Sequence, residues 1–193
     1  MCRFSWQEAF QNELLKTCKG IQWLNETAKL IKSENKISEV ICSSGLKLKA
    51  RLVIDASGHK SKFIKRPFLK EVAQQAAYGI VGKFSTPPVK KDQFVLMDFR
   101  SDHLEDEELL KSPSFLYAMD LGSETYFVEE TSLASYPSFS QDHLKKRLLS
   151  RLNNKGIKVV EIFHEENCLF PMNLPLPYKN QSVLGFGGAA SMV

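Results

Sequence analysis

The chain of 193 residues has no uninterrupted apolar run long enough to span a bilayer. Its first residues, Met1 to Trp6, also lack the apolar segment of a signal peptide. Hydrophobic residues make up 43% of the sequence and charged residues 25%, which is typical of a globular protein rather than a disordered one. We therefore expect a soluble or peripheral chain that folds into one large or two small domains.

Cysteine is scarce, and its distribution excludes two classes of small protein. Cys2, Cys18, Cys42 and Cys168 show no C-x-x-C spacing and no nearby histidine, so they predict neither a zinc site nor a disulfide framework. We expect reduced, intracellular thiols and no metal site. The net charge of +4 is spread over many lysines rather than gathered into a stripe. This distribution argues against nucleic-acid binding and leaves weak attraction to an anionic membrane surface open.

The first third of the chain predicts a helix followed by short strands. Apolar residues at helical spacing from Trp6 to Cys18 indicate an amphipathic helix, with Gly20 as its C-cap. Short β-prone runs separated by turn residues then predict an antiparallel meander, at 21–24, 28–32, 37–43 and 46–49. The apolar strand from Ala50 to Gly58 stops at Asp55 and small residues. Such a strand is expected in the middle of a sheet, with its carboxyl end at a ligand crevice.

A second β-rich region follows Phe63. Strands are predicted at 77–84, 93–99, 114–119, 125–130, 157–162 and 168–170. The acidic segment 100–113 is expected to be solvated surface. Within it, the stretch from Asp102 to Glu108 is expected to be dispensable for stability and activity. Residues 140–153 predict an amphipathic helix with leucines on one face and Lys145, Lys146, Arg147 and Arg151 on the other. A proline-rich connection, 171–177, leads to the last segment.

Two adjacent glutamates lie inside the β-prone run Phe127 to Thr131. Because strand side chains alternate, Glu129 and Glu130 must point to opposite faces of a sheet. Burial disfavours the charged form of whichever glutamate faces inward and raises its pKa, which gives an acid that keeps its proton near neutral pH. The alternative is an edge strand with two solvated acids, and these five residues alone favour neither.

The last segment, Val183 to Val193, is a short apolar strand that runs into Gly187, Gly188 and Ala189. In doubly wound nucleotide-binding sheets, a strand followed by a glycine turn presents backbone N–H groups to a phosphate or a sugar. The alternative is a turn that serves only close packing. The G-x-G-x-x-G motif, which cradles a dinucleotide pyrophosphate, does not occur in the sequence.

Five runs in this order resemble the carotenoid cyclases of the lycopene cyclase family, a branch of the flavoprotein monooxygenase-like superfamily. They are ARLVIDASG (50–58), VLMDFR (95–100), FLYAM (115–119), FVEETSL (127–133) and the glycine pair 187–188. The resemblance implies an α/β fold: part of an FAD-binding Rossmann-like fold with an inserted antiparallel substrate-binding sheet. It places a partial FAD-binding domain at 1–64, the substrate sheet and a helix at 65–170, and a return to the FAD-binding domain at 171–193.

The resemblance also implies a reaction: the ψ-ends of lycopene or a related carotenoid are closed into β- or ε-ionone rings without net redox change. It assigns Glu129 as the proton donor and Glu130 as an orienting partner or a solvated neighbour. Adding the proton to a double bond gives a carbocation. Reduced FAD, with NAD(P)H as its reductant, would stabilise that carbocation. The implied cofactor-binding residues are Asp55, Ala56, Ser57, Gly58, Gly187, Gly188 and Ala189. Asp98, Arg100 and Tyr117 would support the substrate cavity, and Asp98 and Arg100 could pair.

Two departures from the family pattern shape these expectations. The missing G-x-G-x-x-G motif and the end at Val193 suggest an internal fragment, which on its own we expect not to retain FAD. A flavin-dependent hydroxylase of the same superfamily and a non-catalytic remnant therefore remain alternatives. His59 stands where the family carries an aromatic or apolar residue, and we favour a satisfied surface histidine over a proton-transfer role. An intracellular location peripheral to a photosynthetic or cytoplasmic membrane is expected, because lycopene is apolar.

Overall fold

The computed structural model describes residues 6–105 and 113–192. The chain divides into two compact units, Met1–Val53 and Ile54–Val193. This division follows packing, whereas the predicted boundaries at 64/65 and 170/171 concern cofactor and substrate binding and stay predictions. No helix within the described ranges combines the length and the apolarity that a membrane crossing needs.

The first unit contains helix α1 (Trp6–Thr17) and a three-stranded antiparallel sheet. The strands, in sheet order, are β1 (Ala28–Glu34), β2 (Ile37–Cys42) and β3 (Lys47–Ala50). Asn35 and Lys36 have positive φ angles, 50° and 63°, as the tight turn of a β-hairpin requires. The predicted meander is confirmed except at its start. Residues 21–24 form no strand, because a β-prone run needs a neighbouring strand and the described residues provide none there.

The second unit is built on a five-stranded antiparallel sheet. Its strands, in the order in which they pair, are β6 (Phe94–Asp98), β7 (Ser114–Asp120), β8 (Tyr126–Ser132), β5 (Gln74–Phe84) and β9 (Val159–Pro171). Each of these strands overlaps a predicted one. The sheet therefore corresponds to the antiparallel sheet that the sequence predicts for this region.

Strand β9 is continuous over 13 residues, so the prediction of two separate strands at 157–162 and 168–170 is wrong. It pairs with β5 along its length, with two register shifts. The polar stretch Glu165 to Asn167 lies between the two predicted strands. The sheet order places β9 at an edge, however, and an edge strand can carry polar side chains because they reach solvent.

Helix α2 (Gln141–Asn154) packs against β5 and β8. The Ser140 side chain caps its N-terminus by accepting a hydrogen bond from the backbone N–H of His143 at 3.2 Å. Gly156, with a φ of 69°, ends the helix region. The buried core between helix and sheet includes Ala76, Tyr78, Ile80, Leu116, Ala118, Val128, Leu144, Leu148 and Leu152.

The predicted polar face of α2 is wrong for two of its members. Arg147 and Arg151 are each only 2% exposed. These two arginines follow Leu144 and Leu148 at spacings of three or four residues. All four side chains therefore lie on one side of the helix, facing the sheet. Leu149, by contrast, is exposed. The inward face of α2 therefore carries two guanidinium groups, which the sheet must neutralise or hydrogen-bond.

Strand β4 (Val53–Asp55) pairs with β10 (Val183–Gly185) in a separate two-stranded sheet. The sequence predicted a strand from 50 to 58 in the middle of a sheet. Within the described residues, β4 has a neighbour on one side only, and Ile54 is 55% exposed. After β10 the chain forms a 3-10 helix, Gly187–Ala190, which Ser191 closes in the left-handed conformation. The pairing of β4 with β10 and the turns that follow these strands bring Gly58 and Gly188 close together.

Candidate active site

The two glutamates of β8 lie on opposite faces of the five-stranded sheet, as alternation predicts. Val128 and Glu130 face α2 and are fully buried. Glu129 is half-buried and lies on the other face, which we call the distal face. The two carboxyl groups therefore have different surroundings and different hydrogen-bond partners.

Glu130 is 0% exposed and is held in a network of charged hydrogen bonds. Arg151 donates from Nε to Oε2 and from Nη2 to Oε1, each at 2.7 Å. Ser114 Oγ also donates to Oε1 at 2.7 Å, and Arg147 Nη1 donates to that hydroxyl oxygen at 2.9 Å. The expectation that Glu130 is a solvated neighbour is wrong, because it is fully buried and its carboxylate bonds lie on the α2 side, where they join that helix to the sheet. A role for Glu130 in orienting Glu129 stays a prediction.

Glu129 is in the opposite electrostatic situation. Burial raises the pKa of its carboxyl above the ordinary value of 4.5, and the negative charge of Glu166 adds to this shift. A hydrogen bond from Thr131 Oγ1 to Glu129 Oε1, at 2.7 Å, lowers the pKa in part. The net effect favours the protonated form, as the sequence predicted for a glutamate withdrawn from solvent.

Strand register places an aromatic residue on either side of Glu129. Tyr117 pairs directly with Glu129 across β7 and β8, and its ring meets Phe115 edge-on at a centroid distance of 5.0 Å. Phe127 covers Gly79 on β5, where an added β-carbon would lie 2.7 Å from Cε2 of the phenyl ring. The distal face therefore combines a carboxyl of raised pKa with apolar ring surfaces. Such surroundings suit proton transfer to an apolar substrate.

Asp98 and Arg100 form the pair that the sequence suggested. Arg100 donates from Nε and Nη2 to the two carboxylate oxygens of Asp98, at 2.8 and 2.7 Å. Lys155 Nζ lies 3.3 Å from Asp98 Oδ2, and these contacts hold the pKa of Asp98 far below its ordinary value. Strand β6 ends at Asp98, one residue before the predicted end of this strand, and Met97 in it has a φ of 56°. Cavity support by this pair and by Tyr117 stays a prediction.

A corner formed by the end of β4 and the turn after β10 contains the predicted cofactor residues. The buried Asp55 carboxylate accepts hydrogen bonds from Ser57 N at 2.8 Å and from the Ser61 hydroxyl. Burial raises the pKa of Asp55, but these hydrogen bonds outweigh it and leave the pKa below its ordinary value. Phe186 N donates to Asp55 O at 2.8 Å, which joins the segments. Asp55 thus stabilises its own turn, and cofactor contact by its side chain stays a prediction.

The glycines of this corner fit a group that is held by backbone contacts. A β-carbon on Gly188 would lie 3.1 Å from His59 N and 3.3 Å from Gly58 Cα, so the two turns touch closely. Gly58 and Gly187 have positive φ angles, 89° and 58°, and open space where a β-carbon would stand. Ala56 and Ser57 are exposed beside them, while Ala189 is buried. Backbone groups at this corner remain accessible to a ligand.

Two further side chains define the corner. Arg66 donates to Ala189 O and to Ser191 Oγ, each at 2.6 Å, and so braces the 3-10 helix. His59 is half-buried, and its Nε2 is buried without a hydrogen-bond partner among the described residues. The preference for a satisfied surface histidine is therefore wrong, because a buried ring nitrogen loses its water partner.

The acidic loop is described only in part. Asp102 and Glu105 are exposed, as predicted, whereas residues 106–112 lie outside the described residues. His103 is half-buried, and its pKa is lowered by burial and by the positive charge of Arg151. Ser150 Oγ donates to His103 O at 3.0 Å, which ties the start of the loop to α2.

Sequence reasoning missed Arg151 and Glu166 as site residues. The spacing of positions 144, 147, 148, 151 and 152 was itself the signal for Arg151, because it marks one helix face. Glu166 can be identified as a site residue only from the strand register, which pairs Gly79 with Glu129 on one side and with Glu166 on the other. No local pattern in the sequence reveals that arrangement.

Comparisons with known proteins agree with the architecture and with the sequence resemblance. The family described as Lycopene cyclase protein matches residues 5–193. Lycopene beta cyclase of Synechococcus elongatus is 55% identical over 185 residues, 95% of this chain and 45% of the relative. Capsanthin/capsorubin synthase of Capsicum annuum is 36% identical over 94% of this chain and 38% of the relative. The chain thus spans less than half the length of these curated relatives.

Solved structures share the fold at low sequence identity. A geranylgeranyl bacteriochlorophyll reductase-like protein from Thermoplasma acidophilum is 15% identical, with a TM-score of 0.66 over 97% of this chain and 47% of that chain. A flavoprotein/dehydrogenase from Cytophaga hutchinsonii is 14% identical, with a TM-score of 0.57 over 96% of this chain and 46% of that chain. The predicted fold class is confirmed, and the family match over nearly the whole sequence shows that the chain belongs to the lycopene cyclase family.

Proposed function

We propose that this chain is the substrate-protonating part of an FAD-dependent lycopene cyclase, with Glu129 as the acid. The observation that carries the proposal is the contrast within β8. Glu130 forms a buried ion pair with Arg151. Glu129, in contrast, has a raised pKa, which favours its protonated form, and it lies on a face that carries aromatic rings. A carboxyl in this state is suited to donate a proton near neutral pH.

The reaction we propose involves no net oxidation or reduction. The Glu129 proton adds to the terminal carbon–carbon double bond of a lycopene ψ-end, which leaves a carboxylate and a tertiary carbocation. The π electrons of the neighbouring double bond then close the ring, and the ring loses a proton, which the Glu129 carboxylate takes back. Which carbon loses that proton decides between a β- and an ε-ionone ring. The rings of Tyr117 and Phe127 lie on the same face as the acid, and aromatic ring faces suit a developing positive charge.

The cofactor we propose is FAD, held by backbone groups of Ala56 to Gly58 and of Gly187 to Ala189, with Asp55 maintaining the first turn. The close contact of the two turns and the open space beside their glycines support this assignment. The likeness to a flavoprotein/dehydrogenase fold supports it as well. When bound, reduced flavin supplies an electron-rich ring that stabilises the cation, and NAD(P)H is the reductant we propose for it.

Membrane association is a separate part of the proposal. Lycopene is apolar, so the enzyme must collect it from a bilayer, and we propose peripheral attachment to a photosynthetic or cytoplasmic membrane. The net charge of +4 supports weak attraction to anionic lipids. Flotation with anionic vesicles, compared with neutral vesicles, tests this attachment: equal recovery with both would contradict the electrostatic part.

A chimera tests the function as a whole. This chain replaces the matching segment of Synechococcus elongatus lycopene beta cyclase, to which it is 55% identical. In lycopene-accumulating bacterial cells, the chimera should convert lycopene to cyclic carotenoids, measured by chromatography of pigment extracts. A stable, flavin-loaded chimera that leaves lycopene unchanged would contradict the proposed activity and favour a non-catalytic remnant.

A further inference from the structure

A second carboxyl group lies on the distal face, two strands from Glu129. Gly79 on β5 pairs with Glu129 on β8 and with Glu166 on β9, so the three residues form one row across the sheet. Side chains in such a row project to the same face. Two strand spacings place the Cα atoms of the two glutamates about 10 Å apart.

The strand between the two glutamates carries only small residues at this level. Gly79 has no side chain, and the next distal-face residue on β5 is Ala77, which is 1% exposed. The edge of the Phe127 ring lies against Gly79, so that an added β-carbon would stand 2.7 Å from its Cε2 atom. The two carboxyl groups therefore lie on either side of an apolar strip, where charges are screened less than in water.

Each glutamate also bonds to the residue two positions further along its own strand. Thr131 Oγ1 donates to Glu129 Oε1 at 2.7 Å, and Cys168 Sγ lies 3.3 Å from Glu166 Oε1. Thr131 and Cys168 both pair with Ala77. These matching contacts bring both carboxyl groups to the same part of the distal face.

We propose that Glu166 is a positioning residue for the acid: its carboxylate, held across Gly79, keeps the proton on Glu129 until the substrate accepts it. The inference rests on the proposed role of Glu129. Once Glu129 has donated its proton, two negative charges face each other across the row. Their repulsion favours return of the proton that the ring loses, so the acid is regenerated for the second end of the substrate.

Other titratable groups near Glu129 are few. On the distal face, β7 contributes Tyr117, and β9 contributes His164, Glu166 and Cys168. Between residues 75 and 81, β5 contributes none to the distal face, because Tyr78 lies on the α2 side. Burial and the two neighbouring glutamates raise the pKa of the Cys168 thiol to about 12, so it stays uncharged at neutral pH. Glu166 is therefore the negative charge that acts on Glu129 from this face.

A titration of the 193-residue chain tests the coupling without any substrate. Carboxyl carbon NMR, assigned by the loss of one signal in Glu129→Gln, gives the protonation midpoint of Glu129. In Glu166→Gln this midpoint should fall by roughly one pH unit, the effect of a like charge about 10 Å away at an effective dielectric constant near 20. Glu165→Gln is the matched control, because it removes a charge from the adjacent residue on the α2 side. Glu166→Asp keeps the charge and should keep the midpoint raised.

Equal midpoints in the wild-type chain and in Glu166→Gln would overturn the inference. If that variant does not fold, the wild-type chain still tests it, because the raised midpoint should fall as salt is increased from 0.01 to 1 M. An unchanged midpoint across that range would also count against a charge effect.

The chimera separates this inference from the proposed function. In Glu166→Gln, the alkaline limb of the pH–activity profile should shift to lower pH by the same amount, roughly one pH unit. At a fixed pH on that limb, this shift is a tenfold loss of activity. Glu165→Gln should leave the limb in place. A shifted midpoint without any cyclic product would refute the proposed function alone. Cyclic product with an unshifted midpoint and an unshifted limb would refute the role of Glu166 alone.

Discussion

The buried ion pair between Glu130 and Arg151 gives the largest stability prediction. Glu130→Ala removes an acceptor of three hydrogen bonds of 2.7 Å, two from Arg151 and one from Ser114. Arg151 is only 2% exposed, so its charge would be left without a carboxylate in the core. Breaking a buried pair in this way costs about 3–5 kcal/mol, a large fraction of the ~5–15 kcal/mol that stabilises a typical domain.

Urea unfolding of the purified chain, followed by circular dichroism, measures this loss. With a slope of roughly 2 kcal/mol per molar urea, the midpoint should fall by about 2 M. The double variant Glu130→Leu/Arg151→Met should recover much of the loss, because it removes both charges together. Glu129→Gln, one residue away on the distal face, serves as the control and should change the midpoint little. A loss below about 1 kcal/mol in Glu130→Ala would refute the ion-pair argument.

Three further predictions follow from single contacts. Asp98→Asn should cost about 1 kcal/mol at pH 7. Because the folded pKa of Asp98 is depressed, this difference should start to decrease as the pH falls below the unfolded value of 3.8 and should be lost only as the pH falls through the lower folded pKa, so it should be smaller at pH 2.5 than at pH 7. Chemical denaturation at pH 7 and pH 2.5 checks this, and an equal difference at both would contradict it. Cys168, with a pKa raised to about 12, should react with a thiol reagent at pH 8 far more slowly than in the unfolded chain, whereas equal rates measured by mass spectrometry would show that the thiol is not shielded. Gly188→Ala should destabilise the cofactor corner by ~1–3 kcal/mol, because its β-carbon would lie 3.1 Å from His59 N, and an unchanged melting temperature would show that the two turns separate easily.

The sequence predicted the order of helices and strands because periodicity and turn residues are local signals. It predicted the opposite orientation of Glu129 and Glu130 for the same reason. It could not predict which of them would be fully buried, because that depends on Arg151, which lies 21 positions away from Glu130 and reaches it only when α2 packs on the sheet. Composition rules assigned Arg151 to solvent, and tertiary pairing overrode them.

Strand register was also beyond the sequence. Glu166 lies between the strands predicted at 157–162 and 168–170, and only its pairing with Gly79 places it in line with Glu129. At the cofactor corner, the sequence identified the glycines correctly as positions with special backbone requirements. It did not show that Gly188 packs against His59 and Gly58, because that contact joins segments far apart in the chain.

The central claim is that Glu129 supplies the proton, and product formation by the Glu129→Gln chimera tests it most directly. The amide is nearly isosteric but cannot deliver a proton to carbon, so pigment extracts should contain lycopene alone while flavin content and melting temperature stay unchanged. Glu124→Gln, at an exposed turn position before β8, is the control and should form cyclic carotenoids at the unmutated level. Cyclic product at that level from Glu129→Gln would contradict the account.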